Sequence, residues 1–149
     1  MILKIVDAGE EYLLSGAITP NMDLSLLFES TQKYLTLNLK DISAMSSTGV
    51  KVWIDSIKKL RSIGKFIEYR ECSEAFLEQC NMVPMMVKDV DVTSFYVNFM
   101  CEECEEYDLK LLETDELDLE DLPPGFPCPN CNESMLPEED DAFDFLRNI

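Results

Sequence analysis

The sequence predicts an α/β sandwich over residues 1–100, a mixed β-sheet flanked by helices, followed by a small cysteine-bearing appendage over residues 101–149. Three observations predict it. Strand-like apolar runs alternate with helix-period runs in the order β-β-α-β-α-β-α-β, which calls for helices laid largely on one sheet face. Residues 1–100 carry ten Lys/Arg against thirteen Asp/Glu, a net of −3, whereas residues 101–149 carry two against seventeen, a net of −15. Such a break in charge marks a boundary near residue 100. Two Cys-x-x-Cys pairs then fall entirely within the acidic part.

Each element has a local reason. Ile2 to Val6 alternates weakly and reads as a strand. Asp7-Ala8-Gly9-Glu10 is a turn and Tyr12-Leu13-Leu14 opens a second strand, which predicts a hairpin. Gly16 to Pro20 leaves the sheet. Asn21 or Asp23 caps a helix predicted to run through Tyr34, with Leu24, Leu26, Leu27 and Phe28 on or near its buried face. Thr36 to Leu39 is a short buried strand ending at Lys40-Asp41. In the next helix Val50, Trp53, Ile54, Ile57 and Leu60 recur at steps of three and four, a single apolar stripe. Lys51, Lys58, Lys59 and Arg61 lie mostly on its other face, where a solvated surface is the plainer reading than a docking stripe. Trp53 is expected in the core. Gly64 ends the helix in C-cap style. Phe66 to Tyr69 is a strand, Ser73 caps a helix carrying Phe76, Leu77 and Cys80, and Pro84 interrupts the apolar connection Met82–Val87. Val92 to Phe99 reads as one last strand running directly into Cys101.

Composition excludes several functions. With 149 residues the chain holds one ordinary domain, or one small domain and an appendage. There is no histidine, which removes the commonest general base, the Ser-His and Cys-His nucleophile pairs, and His-based metal sites. The acidic tail argues against nucleic acid, because phosphates repel it. No apolar run reaches the roughly 20 residues a membrane span needs. Charges interrupt the N-terminus too early for a secretory segment, so a cytoplasmic protein is expected.

The stretch Leu37-Asn38-Leu39-Lys40-Asp41-Ile42-Ser43-Ala44-Met45-Ser46-Ser47-Thr48-Gly49-Val50 joins a buried strand to the amphipathic helix through a hydroxyl-rich turn. A helix N-terminus is where a phosphate is best tolerated, because unpaired N–H groups and the positive end of the helix dipole face it. Ser47 is read as the helix N-cap. A phosphate there adds about −1.5 to −2 charges without breaking the fold, while changing the surface a partner meets. As residues alone, Ser46, Ser47 and Thr48 read more plainly as an N-cap with spare hydroxyls than as a switch.

This run, together with Leu14-Ser15-Gly16-Ala17-Ile18-Thr19 before it, resembles the signature of STAS domains, the anti-sigma factor antagonist family of bacteria. The resemblance covers roughly residues 1–100. It implies a STAS-like mixed sheet flanked by helices, no catalysis, and partner binding switched by a kinase that phosphorylates the hydroxyl residue after the family's Asp. That hydroxyl is Ser47 here, and the family's Asp is replaced by Ser46. The partner-binding residues it implies are Ser46, Ser47, Thr48, Gly49 and Lys51, and the partner is a regulatory protein of the anti-sigma serine-kinase type. Some STAS domains serve instead as unphosphorylated scaffolds or docking subunits of transport or signalling complexes, the alternative function for this chain.

In the tail, Cys101-Glu-Glu-Cys104 and Cys128-Pro-Asn-Cys131 read as two metal knuckles forming a four-cysteine zinc ribbon. Four thiolates complete a tetrahedron at Zn–S distances of about 2.3 Å, with no open position, so a structural Zn2+ is expected. Iron in the same four thiolates is the minor alternative. Two disulfides, or a thiol oxidoreductase using Cys101 and Cys104, compete with the metal. A cytoplasmic setting disfavours the first, and one redox pair leaves the second Cys-x-x-Cys unexplained. Asn132 suits the left-handed position that follows a knuckle. The tail has few apolar residues, so its folding should be coupled to metal. Cys72 and Cys80 are left over, Cys80 as a buried thiol. Glu113–Asp121 and Glu138–Asp141 read as solvated loops, and Phe143 to Ile149 as a short helical segment packed on the ribbon or the main domain.

Overall fold

Alternating apolar side chains build the central strands, and their burial decides which face of the sheet the helices cover. A computed structural model describes residues 2–149. Strands β1 (Lys4–Asp7) and β2 (Tyr12–Ile18) form the predicted antiparallel hairpin. Strands β3 (Tyr34–Met45), β4 (Phe66–Arg70) and β5 (Asp91–Val92) add to it in parallel, so the sheet order is β1-β2-β3-β4-β5. Leu35, Leu37, Leu39, Ile67 and Tyr69 are buried, whereas the alternate positions Thr36, Glu68 and Arg70 are partly exposed. A strand must present one such set to the core because its side chains alternate faces.

The parallel crossovers carry helices α1 (Ser25–Phe28), α2 (Ser47–Ser62) and α3 (Glu74–Met82). Trp53 of α2 and Phe76 of α3 both meet Tyr69 of β4, with ring centroids 6.1 and 5.1 Å away, so both helices cover the same sheet face. The Trp53 indole N–H donates to the Tyr69 hydroxyl at 3.1 Å, which satisfies two polar groups inside the core. Gly64 ends α2 at φ 94°, with Lys65 N–H donating to Leu60 and Gly64 N–H to Arg61, the paired bonds of a Schellman motif. Ser73 caps α3: its hydroxyl accepts from Phe76 N–H and donates to the Ile42 carbonyl.

Three elements depart from the sequence expectation. The helix expected from Asn21 or Asp23 through Tyr34 is the single turn of α1, and Tyr34 already belongs to β3. Asp23 accepts from the hydroxyl and N–H of Ser25, two residues on, which makes a local turn rather than a helix cap. The same Ser25 contacts hold the Asp23 carboxyl below the usual range. Lys65 then donates to the carbonyls of Ser30 and Gln32, so the loop's acceptors are met without a helix. The strand expected at Thr36–Leu39 is twelve residues long, Tyr34–Met45. Its first half pairs with β4, and its second half continues alone beside β2 through two register shifts.

The strand expected from Val92 to Phe99 breaks at Thr93. Thr93 N–H donates to Tyr69, closing β5 onto the first sheet. Residues Ser94–Met100 form β6, which belongs to a second sheet of order β7-β6-β9-β8 with β7 (Tyr107–Glu113), β8 (Phe126–Pro127) and β9 (Ser134–Pro137). The boundary in hydrogen bonding therefore lies at Thr93, while the boundary in charge lies near residue 100. Cys72 joins the sheets: its N–H donates to Ser94 and its carbonyl accepts from Tyr96. The final 3-10 turn, Asp144–Asn148, packs on the main body. Phe143 and Phe145 set their edges against Phe95, and the Asn81 side chain donates to the Ala142 carbonyl and accepts from Phe145 N–H.

The buried Trp53–Tyr69 bond makes a direct prediction. Tyr69→Phe strands the indole N–H without a partner and should cost about 1–3 kcal/mol in urea denaturation. Adding Trp53→Phe should cost less than the two separate effects combined, because the orphaned donor is then gone.

Candidate functional site

Two places in the chain stand out in the sequence, the hydroxyl turn and the cysteine cluster, and the fold puts them in different layers. The turn follows the carboxyl end of β3 beside the carboxyl end of β2. In open parallel sheets this edge is where ligands and partners are met, because the crossover loops and helix N-termini converge there. Ser46 N–H donates to the Ile18 carbonyl at 3.1 Å, which pins the turn to β2. The N-cap of α2 is Ser46, whose hydroxyl accepts from Gly49 N–H at 2.9 Å, and not Ser47 as the spacing suggests. Ser46 has extended backbone (φ −82°, ψ 156°), the conformation a cap needs, and Ser47 is the first helical residue.

This one-residue shift releases Ser47 from the capping role. Its side chain is exposed, as are those of Ser46, Thr48 and Lys51. Thr48 lies 3.4 Å, oxygen to oxygen, from Ser46. Gly49 is buried for a steric reason: a Cβ there would sit 2.3 Å from the Ile18 carbonyl oxygen and 2.8 Å from the Ser46 hydroxyl. The turn is thus a rigid platform with Ser47 at its open corner.

The second place has the donor set and spacing that could hold a metal ion. Cys101, Cys104, Cys128 and Cys131 bring four sulfurs within 4.8 Å of one another. Contacts run between the pairs, Cys101 Sγ to Cys131 Sγ at 3.5 Å and Cys104 Sγ to Cys128 Sγ at 3.4 Å. A disulfide needs about 2.05 Å, and four ligands at about 2.3 Å from a tetrahedral ion stand about 3.8 Å apart. The sulfurs therefore fit a shared ion and not two disulfides.

The backbone repeats itself around both pairs. Glu105 N–H donates to Cys101 and Asn132 N–H to Cys128, each at 2.9 Å, while Cys101 and Cys128 N–H donate to Glu106 and Glu133. Glu105 and Asn132 both adopt left-handed backbone, φ 59° and 66°. Asn132 is legible from its residue type; the matching Glu105 is not, because glutamate carries no such preference. Cys101 and Cys128 are buried, Cys104 is half-buried and Cys131 is exposed. The Glu133 backbone N–H pulls the Cys131 thiol down, whereas Cys101, burial and then Cys104 and Cys128 push it up. Cys72 and Cys80 stand apart in the core, and burial raises both thiols.

Sequence reading missed a polar cluster on the sheet face away from Tyr69. Arg70 bridges Glu11 and Glu68 at 3.1 Å each, and buried Asn38 donates to Glu71 and Glu11. Tyr96 donates to Glu71 from β6, and burial followed by the Glu71 charge raises its hydroxyl. These residues lie far apart in sequence, so no local pattern announces them. An acidic cleft of 440 Å³ opens between α3 and the 138–142 loop, bordered by Glu74, Glu78, Glu138 and Asp141. There burial first, and Glu138 second, raise the Glu74 carboxyl.

No protein-family model matches the chain, and no curated protein matches it. No helix among the described residues is long and apolar enough to cross a membrane.

Two measurements follow. Gly49→Ala should lower stability by about 1–3 kcal/mol, since backbone must shift to admit the methyl group; chemical denaturation reads it. Purification without chelators should yield one metal ion per chain, with loss of that ion in Cys128→Ser. Acidification should release it, because protons compete for the thiolates; elemental analysis against pH follows the release.

Proposed function

We propose that the chain is a non-enzymatic bacterial regulatory module of the STAS type, which binds a partner protein through the Ser46–Gly49 turn and Lys51, with binding switched by phosphorylation of Ser47. One observation carries the reading. Ser47 is exposed as the first helical residue of α2, just past a cap that another serine already makes. A phosphate on Ser47 leaves that capping bond in place. It meets the positive end of a sixteen-residue helix, and it changes the surface charge where a partner docks. The parallel β2-β3-β4-β5 order with helical crossovers also supports a STAS-like arrangement.

In this reading the partner is an anti-sigma-type serine kinase, and the protein works in the cytoplasm. The four-cysteine centre holds a structural zinc ion that folds the acidic ribbon into a second interaction surface. An ion held by all four sulfurs would leave no free Cys101–Cys104 pair for a thiol oxidoreductase.

A second reading has its own observation. Ser46 occupies the place of the family's Asp and spends its hydroxyl on Gly49 N–H. A kinase that reads the Asp finds none, and the same surface then docks an unphosphorylated scaffold partner of a transport or signalling complex.

Incubation with an anti-sigma-type serine kinase and ATP, read by intact mass, should add one phosphoryl group to the wild type and none to Ser47→Ala. Equal phosphorylation of both would place the acceptor elsewhere. In a pull-down with the co-purifying partner, Ser47→Asp should lose binding if the site is a switch and keep it if the chain is a scaffold.

A further inference from the structure

The far end of α2 carries a feature that the Ser47 turn leaves unexplained. The chain has a net charge of −18, yet Lys33 and Arg61 lie over one ring of an exposed aromatic pair, and Lys58 and Lys88 share clefts with Arg61. Tyr34 and Phe66, the first residues of β3 and β4, stack with centroids 5.1 Å apart. They remain 67% and 44% exposed. Lys33 Nζ lies 5.4 Å from the Phe66 ring centroid and the Arg61 guanidinium 6.0 Å from it. Lys65 lies beside them, its ammonium tied to the carbonyls of Ser30 and Gln32. Phe66, Arg61 and Lys88 line one cleft, and Arg61, Lys88, Lys58 and the exposed Met85 line a second that shares its border. Asp89 borders both clefts, and Asp91 and Ile149 border the first. Among the described residues none of Lys33, Lys58, Arg61, Lys65 and Lys88 forms a salt bridge.

We infer that this patch is a docking site for an acidic segment of a partner protein that also carries aromatic or aliphatic side chains. Charge complementarity selects the occupant. Cations without a salt-bridge partner in a strongly acidic chain attract a local negative partner, and the stacked, exposed rings offer it apolar contact. A nucleic acid is the less favoured occupant, because the chain's net charge of −18 opposes any anion and opposes a long run of phosphates more than a short acidic segment. The patch lies at the amino ends of the parallel strands, its Arg61 about 21 Å along α2 from Ser47 at about 1.5 Å per residue, so the inference stands apart from any role of the turn.

The test uses the full metal-loaded chain and a fluorescently labelled synthetic peptide of alternating Glu/Asp and Phe/Leu, followed by anisotropy. Saturable binding is expected, weakened about ten-fold or more by Lys33→Glu with Arg61→Glu, and weakened by added salt. Phe66→Ala should also weaken it, whereas Lys4→Glu with Lys40→Glu, at exposed sites elsewhere, should not. Near-ultraviolet circular dichroism checks the fold, and Lys33→Gln with Arg61→Gln carries the test if the reversals do not fold. Equal loss in the Lys4/Lys40 pair would reduce the effect to net charge and overturn the proposal. So would equal binding of a peptide of the same charge without apolar residues, tighter binding of oligo-dT, or self-association abolished by the same reversals.

Discussion

The Cα of Gly49 stands where any side chain would run into the Ile18 carbonyl oxygen, and this approach sets how α2 leaves β3. Ser46 closes the same junction from the other side by donating its N–H to Ile18 and capping the helix with its hydroxyl. With the entry angle set, the apolar stripe of α2 lies on the sheet, and Trp53 reaches Tyr69 and Phe76 in the core. The polar consequences follow from the same geometry: Ser47 faces solvent at one end of the helix, and Arg61 reaches Phe66 at the other. One tight backbone contact thus organises two surfaces.

The second sheet depends on a different joint. Glu71 takes a left-handed backbone conformation, φ 51°, and Cys72 then pairs with the start of β6. Buried Ser94 accepts from Glu71 N–H at the same place. Strand β6 therefore belongs to the second sheet while its side chains, Phe95 above all, fill the common core. The first cysteine of the cluster, Cys101, directly follows this strand, so the cluster is attached to the core through β6 and not through a free linker.

Much of this was legible in the sequence where the signal is local. The stripe of α2, the Gly64 terminus, the Ser73 cap and the paired Cys-x-x-Cys knuckles rest on residues a few positions apart, and the structure shows each of them. The resemblance carried by residues 37–50 suggests a family, and the fold agrees with it only at the level of a mixed α/β sheet. What was illegible depends on contacts across the chain. The segment after Asp23 has helical composition, but Lys65 supplies its carbonyls with a donor from thirty-odd residues away, and a loop results. The break at Thr93 is invisible in an unbroken apolar run, because only Tyr69 and Cys72 reveal that the strand changes sheets. Ser46 and Ser47 are both good caps, and Ser46 takes the role because its N–H also reaches Ile18.

The Asn81 bridge to Ala142 and Phe145 has a meaning for how the chain reaches this fold. It closes a sequence separation of 64 residues, a long one for a chain of this size. Closing so long a loop is slow and entropically unfavourable when nothing intervenes. The cysteine centre intervenes: by joining residues 101 and 104 to 128 and 131, an ion there shortens the free chain that Asn81 must capture. An ion bound there would therefore favour the docking of the C-terminal segment without touching it.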